Sequence, residues 1–241
     1  MLRYFCTLFI SSLTAAAVWA QPAKQATMSF KTAMIQRDHG MWNEAVISFK
    51  KAIKLNKKYD SAYLELAQLY LKISQTDSAV LTLNTGIKVD PAFTAGYSSL
   101  GDIYKDYKKD QDSAILNYFK TYKLDSTNKL TLYNLAWCNN TKKNYREAVT
   151  WGVKALEIDN NYKPAYNELG HAYRQLKAYE ECIEQFKKNL AISVNELPLL
   201  YSGYCYIELN QKENALKMYE QLNPLNPKMA GALKKKLDEM K

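Results

Sequence analysis

Glycine and proline are scarce in this chain, 8 and 6 of 241 residues. That leaves too little turn punctuation for an all-β fold and suits a helical one. Histidine occurs only twice, and the four cysteines show no close spacing. A paired-cysteine zinc pattern and a disulfide framework are therefore excluded. There is no glycine-rich phosphate loop and no G-x-S-x-G nucleophile turn, so the common catalytic signatures are missing. Catalysis and cofactors are accordingly not predicted. With 47% apolar and 24% charged residues the composition is globular, not disordered.

The first 20 residues differ from the rest. A basic start, Met1-Leu2-Arg3, precedes an uncharged run from Tyr4 to Ala20, which closes on Val18-Trp19-Ala20 before Gln21-Pro22. This is the layout of a secretory signal peptide with small residues at the cleavage site. Residues 1–20 are predicted to be removed, placing the protein in a periplasm or outside the cell. The alternative is an uncleaved membrane anchor, for which 17 residues containing Ser and Thr are short. Membrane contact is expected only in that case. Cys6 lies too early for a lipoprotein anchor.

The formal net charge of +9 falls to +8 without Arg3 and is spread over the whole chain, with one compact run at Lys234-Lys235-Lys236. Dispersed basic charge on helical faces serves solubility, and no nucleic-acid partner is predicted. Cys138, Cys182 and Cys205 each stand where a small buried residue is expected. They are read as free buried thiols, one bridge between adjacent repeats being the alternative.

What the chain does have is a beat. Ala45, Ala79, Ala114, Ala148, Cys182 and Ala215 are 34, 35, 34, 34 and 33 residues apart. A fixed period in this range marks a stacked array whose units cover one another's apolar faces. Ahead of the beat, Tyr63, Leu66, Ala67 and Tyr70 stand at i, i+3, i+4 and i+7, one face of an α-helix. Tyr97, Leu100, Gly101, Tyr104 and Tyr166, Leu169, Gly170, Tyr173 repeat the spacing. Four residues after the beat comes Phe49, Leu83, Tyr118, Phe186 or Tyr219. Each unit therefore reads as two antiparallel helices, with the small residues admitting close approach. Proline stop signals, Pro91 and Pro227, mark only some of the breaks.

These motifs resemble the tetratricopeptide repeat pattern W-x2-L-G-x2-Y … A-x3-F … P. Tyr97-x2-Leu100-Gly101-x2-Tyr104 with Ala114-x3-Tyr118 matches it, as does Tyr166-x2-Leu169-Gly170-x2-Tyr173 with Cys182-x3-Phe186. Departures are Ser29, Thr32, Ala33 and Gln36 in the first unit, Gly152 in place of an aromatic, and an extra residue near Lys108 to Asp112. The predicted fold is all-α, a right-handed superhelical solenoid of about six helix-turn-helix repeats with a C-terminal capping helix. The expected divisions are a linker at 21–25, repeats at 26–59, 60–93, 94–128, 129–162, 163–195 and 196–227, and the cap at 228–241.

The resemblance implies a concave groove lined by the first helix of each unit and a protein or peptide partner of unknown identity. Transferred to this chain, the groove-facing candidates are Tyr133, Asn134, Trp137, Asn167, His171, Arg174, Tyr201 and Tyr204. Asn140 and Glu168 share that face, and Phe30, Met34, Arg37, Leu64, Glu65, Gln68, Asp102 and Lys105 are the counterparts in earlier units. Rigid aromatics beside Arg and Asn are typical of binding hot spots. The Lys, Asn and Arg clamp that the family uses for a peptide carboxylate terminus is not matched. The expected role is a non-enzymatic protein-interaction scaffold. Alternatives are a self-association module of an envelope complex, or a glycan- or solute-binding protein using the aromatic groove. Glu168-x-x-His171 has metal-site spacing but lacks the further carboxylates such sites take, and Asn139-Asn140-Thr141 matches a glycosylation acceptor.

Overall fold

The computed structural model describes residues 21–240. The expected signal segment, its anchor alternative and Cys6 lie outside them. All regular structure among the described residues is helical. The chain divides into two compact units at Lys108/Lys109.

In the first unit α1 occupies 21–38, followed by α2 (Trp42–Leu55), α3 (Asp60–Lys72), α4 (Thr76–Val89) and α5 (Thr94–Ile103), which runs into a π-helical turn at Tyr104–Lys108. Residues 21–25, expected as a linker, are helical and belong to α1. Successive helices pack in series from α2 to α5, with the first helices α3 and α5 side by side. Their shared interior holds Phe49, Leu66, Leu69, Leu83 and Leu100.

The second unit contains α6 (Gln111–Leu124), α7 (Lys129–Thr141), α8 (Tyr145–Ile158), α9 (Lys163–Gln175), α10 (Tyr179–Ile192), α11 (Glu196–Glu208), α12 (Lys212–Leu222) and α13 (Pro227–Asp238). Here too each helix packs on the next, and the first helices α7, α9 and α11 lie side by side. All-α hairpins stacked in series are thus the observed architecture of both units.

The beat residues explain why the hairpins close. Ala45, Ala79, Ala114, Ala148, Cys182 and Ala215 are all fully buried. The small residues of the first helices answer them. At Gly170 an added Cβ would stand 2.6 and 2.7 Å from Cε1 and Cε2 of Phe186, so α9 approaches α10 as closely as a glycine permits. Gly152, where an aromatic was expected, leaves room that Leu169 of the following repeat fills, 2.8 Å from the place a Cβ would take. On α13, Ala230, Leu233 and Leu237 are buried against α11 and α12, while Lys234 faces outward and pairs with Asp238 at 2.7 Å.

Five of the turns within hairpins share one device. Gly40, Ser74, Lys143, Lys177 and Asn210 adopt left-handed backbone, with φ from 58° to 76°. In each, the next N–H returns to a carbonyl five residues back, as from Gln75 to Tyr70 at 2.7 Å and from Ala178 to Tyr173 at 2.9 Å. This helix ending satisfies two carbonyls that would otherwise lack partners. The third hairpin differs. Its left-handed residue, Lys109, follows Tyr104 by five positions, whereas Ser74 follows Tyr70 and Lys177 follows Tyr173 by four. The extra residue was expected in the turn near Lys108 to Asp112. It is absorbed earlier, by widening the last turn of the helix to π geometry over Tyr104–Lys108.

Between repeats, the stop signal is not chiefly proline. Asn56, Asp90, Asp125 and Asp159 each end a second helix and accept a hydrogen bond from the N–H two residues on, at 3.0 to 3.1 Å. These side chains mimic a backbone turn and redirect the chain.

Two further expectations are corrected. Cys182 and Cys205, on α10 and α11 of adjacent repeats, form a disulfide, while Cys138 is buried and not disulfide-bonded. Asn139 is 5% exposed and its amide donates to the Leu135 carbonyl at 2.8 Å, so the folded chain offers no glycosylation acceptor there.

Candidate functional site

The helical period sends two neighbouring side chains per turn of α7, α9 and α11 to one face, and the serial stacking aligns these faces. Between the three helices opens a cavity of about 260 Å³, lined by Trp137, Asn140 and Thr141 of α7, Asn167, Glu168 and His171 of α9, and Leu197 and Tyr201 of α11.

Four of the eight expected residues, Trp137, Asn167, His171 and Tyr201, line this cavity. Two more join it through Tyr201. The Arg174 guanidinium lies 5.0 Å from the Tyr201 ring centroid, and Tyr204 is 6.3 Å from it. Tyr201 is itself held by stacking on Phe186 of α10, 6.1 Å away with planes 23° apart. Tyr133 stands apart, packed edge-to-face on Tyr162 at 6.0 Å. Asn134 is 4% exposed and lies beneath the surface, because its position on α7 turns toward the interior. The polar pair that sequence reasoning placed on this face but did not connect is Asn140 and Glu168.

Asn140 is 6% exposed. Its amide N–H donates to the Glu168 carbonyl at 3.0 Å and to Glu168 Oε2 at 2.8 Å. Both donor contacts must use nitrogen, which fixes the amide orientation and leaves Oδ1 facing away from Glu168. That oxygen is buried and has no partner. Burial pushes the Glu168 carboxyl above its ordinary titration range, and the Asn140 hydrogen bond opposes this. Among the described residues Glu168 belongs to no ion pair.

His171 is shifted the other way. Burial lowers its pKa, and the nearby Arg174 charge lowers it further, so its imidazole is neutral at neutral pH. Tyr145 packs edge-on against it at 6.3 Å. Asn167 spends its carbonyl oxygen on the fully buried Asn189, which donates to it and to the Lys163 carbonyl at 3.0 Å each. Buried Arg174 Nε has no hydrogen-bond partner. The metal spacing of Glu168 and His171 is not completed: among the described residues no three His, Cys, Asp or Glu side chains converge.

The first unit has a smaller counterpart of about 130 Å³ on α3 and α5, lined in part by Leu64, Gln68, Asp102 and Tyr107. Other candidates there are engaged locally. Arg37 pairs with Glu65 and with Asp38. Phe30 packs on Phe49 and Tyr59 at 5.7 and 5.0 Å, and Lys105 lies 3.2 Å from Asp106. No helix among the described residues is long and apolar enough to cross a membrane.

Family models of the tetratricopeptide repeat match residues 36–101, 131–162, 164–193 and 199–223. The chain is 30% identical over 179 residues to the protein O-mannosyl-transferase Tmtc3 of Drosophila melanogaster, covering 74% of this chain and 18% of that protein. It thus spans under a fifth of that relative's length. Among solved structures, YrrB, a TPR protein with an unusual peptide-binding site, superposes with a TM-score of 0.69 at 20% identity, over 78% of this chain and 97% of that one. PilW, a type IV pilus biogenesis factor, gives 0.66 at 17% identity, over 86% and 97%. At such identities the structural likeness is one of fold.

Proposed function

Since the chain belongs to the tetratricopeptide repeat family, we propose that it is a non-enzymatic scaffold that holds an extended segment of a partner protein on the α7, α9 and α11 face. The single observation that carries this reading is the cavity between those helices, where the aromatic Trp137, His171 and Tyr201 surround the polar Asn167 and Glu168. The walls are preset by packing, as in the Phe186–Tyr201 stack, so little ordering is needed on this side of the complex. YrrB, of the same fold, has a peptide-binding site, which agrees with a peptide as the occupant.

The scaffold works outside the reducing cytosol in this reading. The N-terminal sequence pattern supports export, and a buried disulfide between adjacent repeats suits an oxidising compartment. Nucleic acid is not the partner. Several lysines are engaged with aspartates of neighbouring elements, as Lys108 with Asp77 at 2.7 Å and Lys129 with Asp159 at 2.5 Å, which leaves them less available to phosphate.

Crosslinking in the native compartment tests the proposal. Trp137→Ala combined with Leu197→Asp removes one wall and charges the other; Leu197 is exposed, so the fold should survive. Partner capture should be lost while helicity is retained. Unchanged capture would remove this face from the binding surface.

A further inference from the structure

The cavity on α7, α9 and α11 is built around an acidic group that belongs to no ion pair among the described residues. Glu168 receives its side-chain hydrogen bond from Asn140 alone, although a carboxylate offers about four acceptor positions. A carboxylate with acceptor positions left over calls for a donor. The walls, Trp137, His171 and Tyr201, are aromatic, and the faces of such rings attract a cation, most strongly a planar guanidinium. Arg174, on the same helix, forms no ion pair with Glu168. It lies over the Tyr201 ring, and its charge acts on His171, Tyr179 and Tyr204.

We propose that this cavity seats an arginine side chain of the bound polypeptide, with Glu168 as its counter-ion and the Trp137 and Tyr201 rings as its walls. The inference rests on the scaffold reading given above and adds the chemistry of the anchor. The guanidinium presents five N–H donors in a fixed fork, a match for the acceptor positions the carboxylate has left. Burial of Glu168 strengthens the attraction, since an opposite charge brought into a dry site is screened little. The burial that pushes the Glu168 titration upward is the same one that an incoming cation relieves.

NMR titration of the protein with N-acetyl-arginine amide tests this directly, with N-acetyl-citrulline amide as the neutral isostere. The Trp137 indole and Asn140 side-chain amide signals should move with the arginine probe, at an affinity about tenfold or more above the citrulline probe. Glu168→Gln should abolish that preference while leaving the thermal unfolding transition cooperative. Equal affinity for the two probes, or no response to either, overturns the proposal on the unmodified protein alone, without reliance on any variant. A folded Glu168→Gln protein that still prefers arginine overturns it as well. The scaffold reading is judged separately by the Trp137→Ala, Leu197→Asp crosslinking, so a partner lost there but indifferent to Glu168→Gln would sink the anchor and leave the scaffold standing.

Discussion

Gly170→Ala sets two well-known effects against each other. In an exposed helix, alanine is favoured over glycine by about 1 kcal/mol. At Gly170, however, the new methyl would stand 2.6 and 2.7 Å from two atoms of the Phe186 ring, against ordinary contacts near 3.5–4.0 Å. The ring would have to retreat by about 1 Å. It is 1% exposed and stacked on Tyr201, so it has nowhere free to go. Overpacking of this kind costs about 1–3 kcal/mol and should outweigh the propensity gain, leaving a net loss of about 1–2 kcal/mol. Gly231 on α13 supplies the control, because an added Cβ there meets nothing within 4 Å. Gly231→Ala should raise stability by up to about 1 kcal/mol. Urea unfolding of both variants gives the comparison, and shrinking the ring with Phe186→Leu should rescue Gly170→Ala in part. If Gly170→Ala proves as stabilising as Gly231→Ala, close helix approach is not what the small residues of the first helices provide.

The left-handed turn at Lys177, φ 61°, strains a residue that carries a Cβ. Lys177→Gly should therefore raise the urea midpoint, by up to about 1 kcal/mol in stability. The buried Glu168 titrates above its ordinary value of 4.5 because burial disfavours its charge. Its contribution to stability is thus full below 4.5 and is lost as pH rises through the folded-state value. Glu168→Gln should match the parent below that window and exceed it above, as read by urea midpoints on either side; a constant difference would refute the assignment. The Cys182–Cys205 bridge closes a stretch of 23 residues. Cys205→Ala should cost about 3 kcal/mol on the loop-entropy scale, with added reductant changing the parent and not the variant.

The parts of the fold legible in the sequence are those where packing demands a residue type. Ala148 and Cys182 had to be small because the partner helix lies against them, and their spacing showed it. The turns were harder. Proline was the stop signal looked for, whereas Asn56, Asp90, Asp125 and Asp159 do the work through side-chain hydrogen bonds. Their own recurrence every 34 or 35 residues would have revealed them. The place of the extra residue was not legible, since a switch from α to π hydrogen bonding at Tyr104–Lys108 requires no distinctive residue. At the cavity, the helical period put Trp137, His171 and Tyr201 on one face but could not resolve depth. Asn134 lies one position from Tyr133 and falls below the surface, and Tyr133 itself turns to Tyr162. Nor could spacing alone join Asn140 to Glu168, or Cys182 to Cys205; both links run between neighbouring repeats and depend on how the helices meet.

The widened turn at Tyr104–Lys108 means that the third hairpin carries one amino acid its helix does not need. Elsewhere, dropping a residue from a first helix would rotate everything after it by about 100° and throw the interior side chains out of place. Within 104–108 the same deletion would let the backbone relax into ordinary α geometry and keep the spacing from Tyr104 to the left-handed turn that the other hairpins show. Nature has left the chain a spare link there, where shortening should be tolerated.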